Sequence, residues 1–326
     1  MWKALFKVHK NLIKAIPIML VAGFLFGSVT DPGLTVGLKS LIMPLTFLMV
    51  YPMMVTLNIN HLLHGLKNVK LQLVTQIINF AIIPFVAYAL GRLFFADQPY
   101  LALGLLLAAL LPTSGMTISW TGFAKGNMGA AINMTIIGLT LGSIATPFYV
   151  LALLGAEVDV NIMMVIKQIL FIVFLPMALG FATRQYLLKK YTPQGFKQNI
   201  APRFPALSTV GVLGIVFVAM ALKARTILSE PSLLLLIFMP LLLIYLLNFS
   251  LSTFIAKFFF SREDGIALVY GTVMRNLSIA LAIAINAFGE AGANAALVIA
   301  VSYIIQVQSA AWYVQFTDRV FGPAKE

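Results

Sequence analysis

The sequence predicts an all-α polytopic membrane protein, with about ten transmembrane helices in two inverted five-helix repeats, and three observations predict it. Of its 326 residues, 61% are hydrophobic and 10% charged, with a mean hydropathy of +0.98, whereas a soluble domain carries about 25% charged residues. The apolar residues fall into runs of roughly 18 to 25, the length an α-helix needs to cross a hydrocarbon core of about 30 Å. The basic residues, finally, collect in alternate connections between those runs.

Taken in order, the runs place helices near 11–28, 34–57, 70–95, 99–122, 127–155, 159–188, 205–227, 231–259, 264–288 and 290–317. The segment Met1 to Lys14 resembles the basic start of a signal peptide, but no small-residue cleavage site follows Gly27, so it reads as the lead into the first helix. With a cytoplasmic N-terminus, sixteen Lys and Arg residues fall inside, from Lys3 and Lys7 to Arg319 and Lys325, and only Lys39, Arg92, Lys223 and Arg225 fall outside. That bias holds loop by loop and sets the orientation, with both termini cytoplasmic. The net charge of +12 therefore speaks for topology. No continuous basic stripe is present for nucleic acid.

The most polar connection, Arg184 to Pro205, separates two groups of five helices, 11–155 and 159–317. Five is odd, so a repeated five-helix unit must insert upside down the second time, the plan of many secondary transporters. The fourth member of each group is interrupted. Pro112, Thr113, Ser114 and Gly115 fall at mid-membrane depth in LLAALLPTSGMTISW, and Gly271, Thr272, Arg275, Asn276 and Ser278 do so in ALVYGTVMRNLSIALAIA. Proline removes a donor and glycine unwinds cheaply, and the freed backbone groups must face protein or a watery cavity. Read alone, either segment is equally a Pro or Gly kink. Paired interruptions in matching places point to a transport site.

Arg275 is the sharpest single residue, because a cation near the bilayer centre costs at least about 2.5–3.5 kcal/mol. Either unwound carbonyls hold it, or it faces an anion or substitutes for a bound cation. Lys167 lies nearer a helix end and reads as structural. Gln76, Asn133, Thr135, Gln306 and Gln308 are polar residues inside apolar runs, where interhelical hydrogen bonding is the plain reading. His61 and His64, beside Lys67 and Lys70, read as headgroup contacts, since no third metal ligand lies nearby. Asn133-Met-Thr135, Asn248-Phe-Ser250 and Asn276-Leu-Ser278 match the glycosylation pattern but fall inside helices. There is no Walker A, HExxH or GxSxG motif, and the ten Asp and Glu residues fall in loops or at helix ends. No hydrolase or ATP-driven pump is expected from that inventory.

The pieces LLPTSGMT, FAKGNMG, Gln76 with Pro84, and VMRNLSIALAIA resemble the bile acid:sodium symporter superfamily, which also contains the arsenite efflux permeases. The resemblance covers nearly the whole chain. It implies ten helices, a core domain (about 70–155 and 231–317), a panel domain (about 11–57 and 159–227), discontinuous helices four and nine crossing at the site, and alternating access. In sodium-coupled members two ions sit behind the crossover, held by a Glu of helix nine with hydroxyls and amides of helices three to five. Here Gln76, Thr117, Thr135, Met274 and Asn276 match that pattern, with Asn133 and Gln306 as neighbours. Ile118 stands in place of an amide, Ala131 of a hydroxyl, Gly271 of the acidic ligand and Arg275 of a Gln. One carboxylate with two sodium ions carries a charge of +1, as Arg275 does alone. On that arithmetic the expectation is that the guanidinium stands in for the sodium ions, with coupling to sodium weak or absent. The arsenite permeases use a cysteine near the first break, and this chain has none, although the RN-x-x-x-A-x-A-I run resembles that branch as closely.

The expectation is a secondary transporter of a small organic anion in the cell inner membrane, not an enzyme, with a degraded sodium site. Metalloid efflux is the alternative, and a channel or a structural or sensory membrane protein is the alternative of another class. No cofactor or metal is expected, sodium remaining the one candidate ion. The expected partners are an anionic solute and the lipid bilayer, without nucleic acid or a protein partner.

Overall fold

In the computed structural model, which describes residues 2–56, 68–158, 161–289 and 291–323, every described element is helical. The elements are α1 (Trp2–Lys10), α2 (Leu12–Val29), α3 (Pro32–Gly37), α4 (Ile42–Thr56), α5 (Val69–Phe94), α6 (Pro99–Leu110), α7 (Gly115–Phe123) and α8 (Met128–Leu154). They continue with α9 (Ile162–Lys190), α10 (Arg203–Ser229), α11 (Ser232–Phe259), α12 (Arg262–Val273), α13 (Leu277–Phe288) and α14 (Gly292–Phe321). Among the described residues six helices are long and apolar enough to cross a membrane: α5, α8, α9, α11, α14 and the run Pro193–Ser229 that contains α10. Four shorter apolar helices join them, Lys14–Val29, Ile42–Thr56, α6 and α13. His61, His64 and Lys67 lie outside the described residues.

The chain divides into two compact units. The first takes Met1–Asn58, Asn161–Leu234 and Ser278–Ala300. In it α10 packs on α2 and α4, and small residues set the approach: a Cβ on Gly23 would meet the Phe217 carbonyl oxygen at 2.5 Å, and one on Gly27 would overlap that of Ala221. Close backbone contact of this kind replaces the hydrophobic drive that lipid removes. Tyr51 Oη lies 2.8 Å from Thr183 Oγ1, and Arg184 Nη1 donates to the Thr56 carbonyl at 3.2 Å. Lys167 is exposed on α9, as a snorkelling residue would be.

The second unit takes Ile59–Val160, Leu235–Leu277 and Val301–Glu326 and holds both interruptions. Its α5 widens into π-type turns over Ile77–Ile82, just before Pro84. Proline cannot donate to the carbonyl four residues earlier, and here the Tyr149 hydroxyl donates to the Phe80 carbonyl at 2.7 Å in its place. At one end of the unit Asp264 accepts from Asn68 Nδ2 and Asn127 Nδ2, each at 2.7 Å. Both asparagines are also N-caps, taking the Leu71 and Ala130 amides. One carboxylate therefore ties the starts of α5, α8 and α12 together, where negative charge suits the helix dipoles.

Candidate functional site

The interruptions meet. Pro112 and Arg275 form an antiparallel bridge, in which Thr113 N–H donates to the Met274 carbonyl and Asn276 N–H to the Leu111 carbonyl, both at 2.7 Å. The pairing is symmetric: each break gives one donor and one acceptor to the other. Broken helices leave orphan amides and carbonyls that lipid cannot satisfy, so half of the problem at each break is solved by the other.

Side chains solve most of the rest. Gln306, on α14, accepts from Arg275 N–H at 2.7 Å and donates back to the Arg275 carbonyl at 3.2 Å. Asn79 Nδ2, on α5, donates to the Gly271 carbonyl at 3.0 Å, and Asn248 Nδ2, on α11, to the Thr272 carbonyl at 2.9 Å. In the first break Thr113 takes φ +64, an unusual setting for a β-branched residue. Its hydroxyl lies 3.3 and 3.2 Å from the Met134 and Thr135 carbonyls. Ser114 then caps α7, its Oγ accepting from Met116 N–H at 3.2 Å while Thr117 Oγ1 accepts from Ser114 N–H at 3.1 Å. Two glycines of α8 make room: a Cβ on Gly138 would meet Thr113 Oγ1 at 2.7 Å, and one on Gly142 would meet Pro112 Cδ at 2.9 Å and the Leu110 carbonyl at 3.0 Å.

Arg275 sits in the bridge, 4% exposed. Its Nη1 donates to the Ala109 carbonyl at 3.1 Å, while Nη2 is buried with no hydrogen-bond partner among the described residues. The ion pairs among those residues join Arg92 to Glu157 and Arg262 to Asp318, and none reaches Arg275. Beside the guanidinium lies a small pocket with room for about one water, whose polar lining is Arg275, Tyr245, Asn248 and Ser302 and whose walls include Leu105 and Leu241.

Arg275, Asn276, Met274 and Gln306 are brought together at the bridge, with Pro112, Thr113 and Ser114 opposite, and Gly115 opens α7. Gly271 does not break its helix. The ladder runs on through it, Met274 N–H bonding the Tyr270 carbonyl at 3.2 Å, and the backbone leaves the helix at Met274, with ψ 117. The reason is packing: a Cβ on Gly271 would meet Met134 Sδ at 2.5 Å and Thr75 Cγ2 at 3.5 Å, so this glycine serves a close approach.

The hydroxyls expected at an ion site bond within their own helices, Thr135 Oγ1 to the Ala131 carbonyl at 2.8 Å and Thr117 in its cap. Among the described residues Gln76 has both amide atoms buried without a partner, and Gln72 Oε1 and Asn79 Oδ1 are likewise unpartnered. Asn133, Asn248 and Asn276 are 3%, 2% and 1% exposed, which excludes them as glycan acceptors in this fold. Sequence reasoning missed Asn79, Tyr245 and the pair Gly138 and Gly142. The spacing of those glycines, four apart on a helix following a Pro break, was the available signal.

The model described as the Sodium Bile acid symporter family matches residues 43–230. An arsenical-resistance protein Acr3 of Alkaliphilus metalliredigens is 25% identical over 290 residues, covering 84% of this chain and 80% of the relative. An uncharacterized transporter of Synechocystis is 24% identical over 286 residues (80% and 73%), and a second Acr3, of Corynebacterium glutamicum, is 23% identical over 234 (68% and 63%). With more than half its length matched, and paired helix breaks joined in the second unit, the chain belongs to the sodium bile acid symporter family.

Proposed function

We propose that this protein is a secondary transporter that moves a small organic anion across the cell inner membrane by alternating access around the joined breaks, without tight coupling to sodium. The carrying observation is Arg275: a buried cation held in the bridge between the two breaks, with no carboxylate paired to it among the described residues. In this reading the two interrupted helices are the fourth and ninth of ten, related by inversion. The second unit is most of a core domain, the first most of a panel, and both termini are cytoplasmic. The guanidinium supplies the positive charge that sodium supplies elsewhere in the family. Met134, packed against Gly271, occupies the space an acidic ion ligand would need.

Two observations favour other readings within transport. The amide oxygens of Gln72, Gln76 and Asn79, unpartnered among the described residues, are the chemistry of a residual monovalent-cation site. The names of two relatives favour metalloid efflux, against which stands the absence of cysteine.

One experiment separates these readings. The melting temperature of the purified protein is measured in sodium and potassium salts with small carboxylates, sulfonates and arsenite, since a ligand selective for the folded state raises it. The proposal expects a carboxylate- or sulfonate-specific rise that is the same in both salts. A sodium-specific rise would restore the symporter reading, and a rise with arsenite alone would replace both. In proteoliposomes, Arg275→Gln should reduce uptake of the responding anion, and unchanged uptake would remove the guanidinium from the mechanism.

A further inference from the structure

We infer that the pocket beside Arg275 is a binding site for a small inorganic monovalent anion, a halide such as chloride, seated on the free Nη2 edge within the second unit. The polar neighbours of that edge are already paired. Tyr245 Oη lies 2.9 Å from Ser302 Oγ and donates to Gln306 Oε1 at 3.0 Å. Asn248 donates to the Thr272 carbonyl at 2.9 Å and accepts from Ser252 at 3.2 Å. Arg275 Nη1 is engaged on the Ala109 carbonyl. Nη2 is therefore a buried donor, carrying positive charge, that faces no acceptor among the described residues, on a side chain that lines the pocket.

A guanidinium stays ionised in a protein, and an uncompensated charge in a low-dielectric interior demands a counter-charge. A water in the pocket would satisfy the hydrogen bond and leave the charge unbalanced. A halide satisfies both, and being monoatomic it brings no second oxygen needing a donor that these walls lack: Leu105, Leu241, Ile244 and Ile83 are apolar and fully or nearly fully buried. The inference concerns a counter-ion held inside the second unit. It rests on the same guanidinium as the proposed function, with the halide as the anion that balances it while no solute is bound; binding is read without transport, so the two are tested separately.

The test uses the purified full-length protein in detergent at constant ionic strength, with chloride, bromide, acetate or gluconate as the anion, and reads the melting temperature. Crystals grown in bromide are examined by anomalous diffraction. The expected result is a saturable rise with chloride and bromide over gluconate, a bromide peak at hydrogen-bond distance from Nη2, and a loss of at least about tenfold in halide affinity in Arg275→Met, whose side chain keeps the bulk without the charged donor. If Arg275→Met fails to fold, titration of the wild type and the bromide peak decide alone. Identical melting in halide and gluconate, an anomalous peak only elsewhere, or an undiminished halide response in Arg275→Met would overturn the inference. A rise with acetate and none with halide would overturn it too, and would assign the pocket to an organic carboxylate.

Discussion

Replacing Gln306 with leucine removes three hydrogen bonds at once while keeping the volume and apolar packing of the position. Two of them satisfy the N–H and carbonyl of Arg275, and the third holds the Tyr245 hydroxyl. Gln306 is 0% exposed, so no bulk water replaces the lost amide. A buried orphan backbone group costs about 1–3 kcal/mol, while hydrogen bonds inside membrane proteins average nearer 0.6 kcal/mol because the reference state also finds partners. Two orphaned groups and one loosened hydroxyl between those limits give a loss of about 2–4 kcal/mol. At an unfolding entropy of about 2.1 cal/mol/K per residue, a chain of 326 residues shifts by about 1.5 °C per kcal/mol, so the expected fall in melting temperature is about 3–6 °C. Gln308→Leu is the matched control: two residues along the same helix, partly exposed, with its side chain in no hydrogen bond among the described residues, it should melt like the parent. The comparison is read by thermal unfolding in detergent. Equal melting of Gln306→Leu and Gln308→Leu would refute the assignment of Gln306 as the cap that holds the second break.

Gly142→Ala should destabilise the protein by about 1–3 kcal/mol, the usual range for overpacking, because the added methyl meets the Leu110 carbonyl and the Pro112 ring at 3.0 and 2.9 Å. Thermal unfolding checks it, with the same change at Gly37, where a Cβ meets nothing within 4 Å, as the neutral comparison. Asp264→Ala removes the acceptor shared by Asn68 and Asn127. Since all three residues are only part-buried and water can re-enter, the expected loss is about 1–3 kcal/mol, less than two fully buried charged hydrogen bonds would give, and it should show as faster amide exchange at the starts of α5, α8 and α12.

The helices were legible because their signal is coarse. Runs such as 232–259 carry so little charge that burial in lipid is the only stable outcome, and most limits read from the apolar runs fall within a few residues of the helix ends. The breaks were legible at Pro112, where a missing donor is visible in the sequence, and only approximately at Gly271. A glycine in a helical run can mark an unwound turn or a close approach, and only the neighbour decides which. Met134, far away in sequence, is that neighbour. The same limit hid Asn79 and Tyr245, each of which serves a group supplied by a different helix. Arg275 stood out because an ionised side chain is conspicuous wherever the surrounding sequence is apolar, and the atom it leaves free emerges only from the positions of Ala109 and Gln306.

The second break is bound more tightly than a hinge would be. Between Gly271 and Asn276 six hydrogen bonds from outside the segment fix the backbone: those from Asn79 and Asn248, two with Gln306, and two with the opposite break. A transport cycle that rewound either helix would have to lose most of these together, whereas one that carried the joined breaks as a body would lose none. Hydrogen exchange distinguishes the two cases. If the breaks move as a body, the amides of Thr113, Arg275 and Asn276 exchange as slowly as those in the middle of α8, since exchange needs local opening. The loop amide of Lys125, at φ +55 and bonded only to the Gly122 carbonyl, should exchange faster. Equal rates at Lys125 and Arg275 would mean that the bridge opens on its own, and the proposed alternating access would then run by unwinding at the breaks themselves.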